Sequence, residues 1–328
     1  MRRREFITLL GSAAGGWPLA ARAQQPAMPV VGFLHPASPE SYGVALVRGF
    51  RQGLNDIGFV EGQNVLIEYR WARGEYDRLG ALAAELVQLP VRLILAGGGE
   101  VGALAAKAAT STIPTLIITS GDPIKSGLVA SFNRPGGNVT GLMTATSILE
   151  AKKFGLLCEM VPNARTLAML VNPNYPPYAS DVHEVQSAAQ TIGRQLFVLK
   201  ADSPQTIDLA IATLVAQRAD ALLVSGDPFL ESRSQQIVVL TTRHAVPAMY
   251  NFRESIVSGG LMSYGVNITN NYRQLGQYAG RILKGESPAD LPIMFPAKFD
   301  LVINLTTAKA LGLTVPPMLL ARADEVIE

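Results

Sequence analysis

The sequence predicts an α/β protein built as two similar, doubly wound parallel-sheet lobes joined by a hinge of several chain crossings. The first observation is that short apolar segments of strand length alternate with longer segments of helical periodicity along both halves of the chain. The second is that the connections between them are short, which is typical of parallel strands joined by helices. The third is that the two halves match element for element at an offset of roughly 130 residues, far longer than the period of a solenoid repeat.

The first half supplies four buried strands and three helices. Apolar composition and length predict strands at residues 30–34, 64–69, 91–96 and 115–119. Helical periodicity predicts helices at residues 40–57, 76–89 and 101–109. Gly58 ends the first of these helices, and the glycines at residues 97–99 form the turn into the third.

The second half repeats this order. Strands are predicted at residues 166–171, 195–199, 221–224 and 248–250, and helices at residues 179–192, from Ser203 onward and at residues 231–244. Ser203 is a preferred N-cap, and Pro204 suits the first helical turn. A helix at residues 272–283 returns to the first lobe, and a strand at residues 299–304 crosses once more. The first lobe is therefore expected to comprise residues 27–140 and 265–290, and the second residues 141–264 and 291–328.

The N-terminal segment has the pattern of an export signal. Arg2, Arg3 and Arg4 precede a weakly apolar run rich in glycine and alanine, and residues 21–23 have the small-x-small pattern of a cleavage site. The run is too short to anchor the chain in a bilayer. We therefore expect a twin-arginine signal peptide at residues 1–23, cleavage after Ala23 and a periplasmic location. The alternative is an uncleaved amphipathic N-terminus.

Composition excludes several classes of function. Hydrophobic residues make up 48% and charged residues 16% of the 328, so the chain can bury large cores and is not disordered. The net charge is +2, of which residues 1–23 contribute +3, so the remainder carries −1 and supplies no basic surface for nucleic acid. The single cysteine, Cys158, rules out an intrachain disulfide. His35, His183 and His244 are too isolated to predict a metal site.

Polar and glycine-rich turns follow the predicted strands and mark the candidate ligand site. In open α/β sheets a ligand binds beyond the carboxyl ends of the strands, where helix N-termini present free N–H groups. Hydroxyls and glycines there could hold a carboxylate, an aspartate could hold an ammonium group, and a tyrosine could stack on an apolar group. The candidate ligand-binding residues are Ser38, Gly98, Gly99, Glu100, Ser120, Gly121, Asp122, Tyr175, Asp227, Tyr250 and Tyr264. Each taken alone also has an ordinary structural role as a cap or turn residue.

Two of these turns share the tetrapeptide Ser-Gly-Asp-Pro, at residues 120–123 and 225–228. The first follows the fourth predicted strand of its lobe, whereas the second follows the third. The two turns are therefore not equivalent positions of the repeat. Both are nevertheless expected at the cleft end of a buried strand.

A dinucleotide-binding enzyme is the alternative that the residues leave open. Gly97, Gly99 and Gly102 match the dinucleotide fingerprint between a strand and a helix, and Asp122 lies about 20 residues further on, where a ribose-binding acid is expected. However, the motif follows the third strand of its lobe rather than the first, and no arrangement of side chains for hydride transfer accompanies it. An exported NAD(P)-binding oxidoreductase is therefore the second hypothesis. The sequence contains no Gly-x-Ser-x-Gly elbow, and no helix-turn-helix precedes the first lobe.

Five segments carry a resemblance to a known family. They are DPIKSGLV at residues 122–129, RPGGNVTG at 134–141, GGLMSYGV at 259–266, INLTTAKALG at 303–312 and PPMLLARADEVI at 316–327. Over about residues 29–328 the chain resembles the ABC transporter substrate-binding proteins of the type I periplasmic fold, in the branch related to uptake of tryptophan and other amino acids. The resemblance implies that a small solute, an amino acid or a related carboxylate, binds between the lobes and is delivered to a membrane permease.

The same resemblance implies no catalysis and no cofactor. It also implies closure of the lobes by hinge bending, which we place at Thr140, Gly141, Tyr264 and Gly265. We expect the protein to be a monomer. The loop at residues 97–100 departs from the Gly-Thr-x-Ala type found in the family, so the resemblance does not fix an aromatic amino acid as the ligand.

Overall fold

The computed structural model describes residues 28–40 and 42–328, and the expected signal peptide at residues 1–23 lies outside this part. The first lobe is built on a sheet of five parallel strands. These are β1 (Val30–His35), β2 (Leu66–Trp71), β3 (Val91–Ala96), β4 (Thr115–Thr119) and β5 (Val139–Met143), in the order β2-β1-β3-β4-β5. Helices α1 (Tyr42–Asp56), α2 (Leu79–Gln88) and α3 (Gly99–Ala109) connect the first four strands, and a 3₁₀ turn, Tyr76–Arg78, precedes α2.

The second lobe is built on a sheet of seven strands in the order β12-β11-β10-β9-β8-β6-β7. In chain order its elements are α4 (Glu150–Met160), β6 (Thr166–Val171), α5 (Tyr178–Thr191), β7 (Gln195–Lys200), α6 (Pro204–Ala216), β8 (Ala221–Val224), α7 (Pro228–Ser232), α8 (Ser234–Arg243), β9 (Ala248–Tyr250), α9 (Arg253–Val257) and β10 (Met262–Gly265). Helix α10 (Ile268–Leu283) then packs on the first lobe, and β11 (Asp300–Asn304), α11 (Leu305–Ala310), α12 (Pro317–Leu320) and β12 (Glu325–Ile327) complete the second. This architecture confirms the predicted fold class.

One strand pair in the second sheet runs against the predicted parallel direction. Strand β11 pairs antiparallel with β10, and Asp300 lies opposite Gly265. The reason is the path of the chain, which leaves the second lobe at the end of β10, adds α10 to the first lobe and returns at the same edge. A strand that enters from the cleft side must run opposite to its neighbours.

Each sheet carries an apolar core on both faces, as the period of two along a strand requires. In the first lobe Phe33 packs with α1 and α10, while the next residue, Leu34, packs with α2 and α3. In the second lobe Met169 faces α4 and α5, and Leu170 faces α6 and α8. The two lobes are therefore three-layer units with separate cores, joined by the crossing segments.

The residues predicted as hinges lie on the strands that lead into the crossings. Thr140 and Gly141 are inside β5, and the chain leaves the first sheet after Met143. Tyr264 and Gly265 end β10. On the way back, the Met294 N–H donates to the Gly141 carbonyl oxygen, 2.9 Å away, before the chain enters β11.

Several elements differ in their limits from the prediction. The predicted helix at residues 231–244 is two helices, α7 and α8, and begins earlier because the Asp227 side chain caps α7 and Pro228 occupies its first turn. Helix α10 begins at Ile268 because Asn267 caps it. Helix α4 and the short strands β5, β10 and β12 are absent from the prediction. Among the described residues no helix is long and apolar enough to cross a membrane.

Helices α1 and α10 approach closely because glycines stand where they cross. A Cβ atom on Gly49 would overlap the Thr269 carbonyl oxygen, and one on Gly53 would overlap the Arg273 carbonyl oxygen. Gly276 of α10 has the same relation to the backbone of α1. This contact fixes α10, the element that follows the crossing from β10, on the first lobe.

Gly53→Ala is expected to lower the free energy of unfolding by about 1–3 kcal/mol, because the added methyl group forces the two helices apart. The measurement is the urea midpoint of unfolding of the variant against the parent. Gly80→Ala is the matched control, since Gly80 lies exposed on α2 with open space around it and alanine there should add about 0.5–1 kcal/mol. Equal effects of the two substitutions would contradict the close helix contact.

Candidate functional site

The carboxyl ends of strands in the two lobes face each other across a narrow cavity of about 40 Å³. Its walls combine backbone, hydroxyl, carboxyl and aromatic groups. The first lobe and the first crossing contribute Tyr42, Gly98, Gly99, Ile118, Thr119, Ser120, Thr144 and Thr146, the second lobe contributes Tyr175, Gly226, Asp227, Pro228, Glu231 and Phe252, and α10 contributes Ile268 and Tyr272. A cleft between two lobes is a usual place for a small-molecule site, and the lobes would have to separate to admit a solute to so narrow a cavity.

A first polar network joins the lobes through Tyr175. Its hydroxyl lies 2.8 Å from Glu100 Oε2 and 2.9 Å from Ser120 Oγ. The Ser120 hydroxyl donates to Glu100 Oε2 over 2.7 Å, and the Gly121 N–H donates to Glu100 Oε1 over the same distance. Glu100, Ser120 and Tyr175 are all buried, so these bonds replace solvent across the closed cleft.

A second network joins the lobes through Tyr76. Its hydroxyl donates to Asp227 Oδ2 over 2.6 Å and accepts from the Phe229 N–H over 2.9 Å. Asp227 also accepts from the Asn172 side-chain amide and, through Oδ1, from the Leu230 N–H at the start of α7. Burial raises the pKa of the Asp227 carboxyl to about 6, although these hydrogen bonds oppose the shift.

Carboxyl groups are concentrated behind and beside the cavity. Glu231 faces it, accepts a 2.6 Å hydrogen bond from the Asn251 amide, and has a pKa that burial raises to about 8. Asp181 lies behind it, and burial, followed by the charge of Glu150, raises its pKa to about 8. Lys153 is the cation that the structure places within this cluster, 2.8 Å from Glu150. The cluster therefore has more acids than cations and is suited to a positively charged group.

Part of the cavity wall is aromatic. The rings of Tyr42 from α1 and Phe252 from the second lobe are stacked, with centroids 6.2 Å apart. The Tyr272 hydroxyl lies 3.0 Å from Nε2 of His35, which is buried, and burial lowers the pKa of that imidazole to about 3. His35 is therefore neutral and adds no charge to the site. These rings supply a surface for an apolar or aromatic group.

The glycine pattern at residues 97–102 is explained by close packing. A Cβ atom on Gly97 would overlap the Tyr272 hydroxyl, one on Gly99 would overlap the Tyr175 hydroxyl, and one on Gly102 would overlap the Gly97 carbonyl oxygen. Gly98, the N-cap of α3, has a φ of 75°, which also favours glycine. The requirement for glycine at these positions comes from neighbouring side chains and backbone, and the motif needs no dinucleotide to account for it.

The structure distributes the predicted ligand-binding residues over three environments. Gly98, Gly99, Ser120, Tyr175 and Asp227 line the cavity. Glu100 and Gly121 form the polar wall behind Ser120. The remaining four, Ser38, Asp122, Tyr250 and Tyr264, lie elsewhere.

Each of those four side chains has another environment. Asp122 accepts hydrogen bonds from the N–H groups of the turn that follows it. The Tyr250 hydroxyl lies 2.9 Å from Thr241 Oγ1 within the core of the second lobe. Tyr264 packs against Phe299, and Ser38 lies at a separate surface groove.

The cavity also contains residues that the sequence patterns do not single out. They are mainly aromatic and hydroxyl side chains on helices and crossings: Tyr42, Thr144, Thr146, Glu231, Phe252 and Tyr272, with Tyr76 beside Asp227. Phe252 directly follows the strand-end pair at residues 250–251, so its position after a buried strand is the signal that could have included it. For the helical residues no such local signal exists.

Burial of uncharged carboxyl groups makes stability depend on pH. Folded Asp181 and Glu231 keep a proton to about pH 8, whereas in the unfolded chain these groups lose it near their ordinary values of 3.8 and 4.5. The raised pKa values therefore contribute stability that is complete below about pH 4 and is lost as pH rises toward 8. Melting temperatures at pH 5 and pH 8 should show a smaller decrease for Asp181→Asn than for the parent. The exposed Asp77→Asn in the first lobe should leave the decrease unchanged, and an unchanged decrease in Asp181→Asn as well would contradict the shift.

Two comparisons with known proteins point to the same kind of protein. The sequence model of the family described as ABC transporter substrate binding protein matches residues 35–327. A curated relative, the tyrosine-binding protein of Clostridioides difficile strain R20291, is 26% identical over 266 residues, which are 81% of this chain and 76% of the relative. The match covers most of both lobes and confirms the predicted resemblance.

Solved structures show the same fold. A domain from Streptococcus pneumonia in complex with L-Trp is 24% identical, with a TM-score of 0.79 over 91% of this chain and 99% of that one. A substrate-binding protein with adhesive properties from Clostridium difficile, in its ligand-free, open form, is 25% identical, with a TM-score of 0.61 over the same shares. By TM-score, the structure is therefore more similar to the Streptococcus domain, which holds L-Trp, than to the ligand-free, open Clostridium protein.

Proposed function

The chain belongs to the family of ABC transporter substrate-binding proteins, and we propose that it captures, as a monomer, a small amine-bearing solute of the amino-acid class and delivers it to a membrane permease. The family is one of solute-binding proteins rather than of enzymes. The observation that carries the proposal is the placement of two buried carboxyl groups, Asp227 and Glu231, in a cavity with aromatic walls between the lobes.

The chemistry of the walls indicates how such a solute binds. An ammonium group would pair with Asp227 and Glu231, and the pairing would favour the ionised form of both carboxyl groups, whose pKa values burial raises. The apolar part of the solute would lie against Tyr42, Phe252 and Tyr272. A carboxylate solute without an ammonium group is less well matched, because the described residues that line the cavity include no lysine or arginine to pair with it.

The interlobe hydrogen bonds support capture by closure. Tyr76 and Tyr175 each connect one lobe to the other, and both are drawn into the interface by buried polar partners. The greater similarity to a ligand complex than to an open form supports the view that this is the closed arrangement. Hinge bending where the chain leaves β5 and β10, close to the predicted hinge residues Thr140, Gly141, Tyr264 and Gly265, would separate the lobes and open the cavity.

The relatives support the choice of solute class. One is a tyrosine-binding protein, and another was solved in complex with L-Trp. Aromatic amino acids and amines derived from them are therefore the first compounds to test. Their rings match the aromatic wall of the cavity, and their ammonium groups match its acids.

Export by the twin-arginine route to the periplasm is part of the proposal. It rests on the paired arginines and the small-x-small pattern before Gln24. Envelope-fraction protein should begin at Gln24 by N-terminal sequencing, whereas a chain that still begins at Met1 would contradict cleavage.

Native mass spectrometry of gently purified protein tests the proposed function. We expect a bound species with the mass of a small amine or amino acid, and a rise in melting temperature when that compound is added. A panel of amino acids, their amides and their amines identifies the class. If no compound of the panel raises the melting temperature and none copurifies, solute capture by this cavity is wrong.

A further inference from the structure

We infer that the side chain of Glu100, from behind the cavity wall, fills the position that a ligand's carboxylate would otherwise take (the carboxylate position), so that the site selects amines that carry no free carboxylate. This inference rests on the function proposed above and narrows it. It concerns the loop between β3 and α3, in which Glu100 lies in the first turn of the helix.

Donors from both lobes converge on the Glu100 carboxylate. The Gly121 N–H and the Ser120 hydroxyl lie 2.7 Å from its two oxygens, and the Ser120 N–H lies 3.4 Å from Oε2. The Tyr175 hydroxyl of the second lobe lies 2.8 Å from Oε2. The side chain is almost fully buried, and 5% of Glu100 remains exposed. Each oxygen of the Glu100 carboxyl group therefore has at least one donor within 2.8 Å.

These donors are of the kind that would otherwise hold a ligand's carboxylate. Backbone N–H groups beyond the end of β4 and hydroxyls from both lobes are the usual partners of an anion at this position of an α/β fold. Glu100 also lies in the first turn of α3, where its negative charge is favoured by the helix dipole. The Glu100 side chain therefore takes up both the hydrogen-bond donors and the positive potential at the start of α3.

The rest of the cavity has little to offer a second carboxylate. The described residues that line it include no lysine and no arginine, while Asp227 and Glu231 do line it. Lys153, behind the cavity, is fully buried and already bound to Glu150 and Asn251. Among the described lining residues a ligand carboxylate would find no cation, so the cost of its desolvation would not be offset by an ion pair.

The ligand class that fits is a primary amine, or an amide or ester of an amino acid, with an apolar or aromatic body. Its ammonium group meets Asp227 and Glu231, and its body meets the rings of Tyr42 and Phe252. An amide or ester retains the carbonyl oxygen of the amino acid but not its negative charge, so it tests the charge alone.

Matched ligands measured on the full chain by calorimetry test this inference. Tyramine and tyrosine amide are each expected to bind at least tenfold more tightly than tyrosine, and tryptamine more tightly than tryptophan. Glu100→Ala empties the carboxylate position and should reduce or reverse this preference, whereas Glu184→Ala, an exposed acid on α5, should preserve it.

The outcomes distinguish a wrong role for Glu100 from a wrong proposed function. If the parent protein binds the free amino acids more tightly than their amines and amides, the role of Glu100 is wrong while solute capture stands. If none of these compounds and no other amine or amino acid binds, the proposed function itself is wrong, and this inference falls with it. The comparison uses the parent protein, so it does not depend on how well the Glu100 variant folds.

Discussion

Lys153→Met is expected to lower the free energy of unfolding by about 3–5 kcal/mol, because it leaves a buried carboxylate without its partner. Lys153 and Glu150 lie one turn apart on α4, 2.8 Å from each other, and both side chains are fully buried. Glu150 also accepts from the Gly226 N–H, but its Oε2 has no hydrogen-bond partner among residues 28–40 and 42–328. Burial raises the pKa of Glu150, and Lys153 opposes that shift. The charge of each group is therefore compensated only while the other is present.

Chemical denaturation of three variants checks this result. Lys152→Met is the matched control, because Lys152 is the adjacent residue on the same helix and is exposed. It should change stability by less than about 0.5 kcal/mol. Lys153→Met combined with Glu150→Gln should recover part of the loss, since the amide carries no charge to leave unpaired. A Lys153→Met variant as stable as the Lys152 control would contradict the buried pair.

Asp227→Asn is expected to weaken binding of the best amine by about 2–3 kcal/mol, or about 30- to 150-fold in Kd, because a charge-assisted hydrogen bond becomes a neutral one. Asparagine can keep Oδ1 as the cap of α7, so the fold around the turn should persist. Calorimetric titration measures the loss. The urea midpoint shows whether stability has changed with it.

The other Ser-Gly-Asp-Pro turn, at residues 120–123, supplies the control for this substitution. Asp122 stands in the same tetrapeptide, but its side chain caps a turn outside the cavity. Asp122→Asn should leave the Kd within about twofold of the parent, since surface changes remote from a site have small effects. Equal losses in the two variants would show that the turn geometry, not the charge facing the cavity, governs binding.

The comparison of these two turns shows how far sequence reasoning extends. Both follow a buried strand, as the alternation of strands and helices predicts, and both lie at the carboxyl end of a sheet. Only Asp227 is brought toward the other lobe, because Pro228 and α7 turn the chain toward Tyr76 and Asn172. The direction of a side chain after a strand depends on the next element, which the tetrapeptide does not encode.

The aromatic wall depends on contacts between distant parts of the chain. Tyr42 belongs to α1, Phe252 follows β9, and Tyr272 belongs to α10, and each comes to the cavity by packing of separate elements. The same reasoning places Tyr250 at a strand end, yet its hydroxyl lies next to Thr241 in the core. Period and composition predict that a tyrosine is near the end of a strand. They do not predict which face of the sheet receives it.

The buried charged residues behind the cavity could not be predicted from the local sequence either. Glu150 and Lys153 lie on α4, which follows the crossing after β5, where short strands and glycines give little periodic signal. Their burial results from α4 packing under β8 and β9, at the end of the second sheet that faces the cavity. The repeat of the two halves predicted the sheets, whereas the helix that follows the first crossing adds the buried pair Glu150 and Lys153 behind the cavity.

A crystal structure of the protein with its tightest-binding amine tests the central proposal most directly. It should place the ammonium nitrogen within about 3 Å of a carboxylate oxygen of Asp227 or Glu231. The body of the ligand should lie against the rings of Tyr42 and Phe252, with Glu100 still bound by Ser120 and Tyr175. A ligand seated outside the interlobe cavity, or one inside it whose ammonium group contacts neither acid, would contradict the proposed mode of binding.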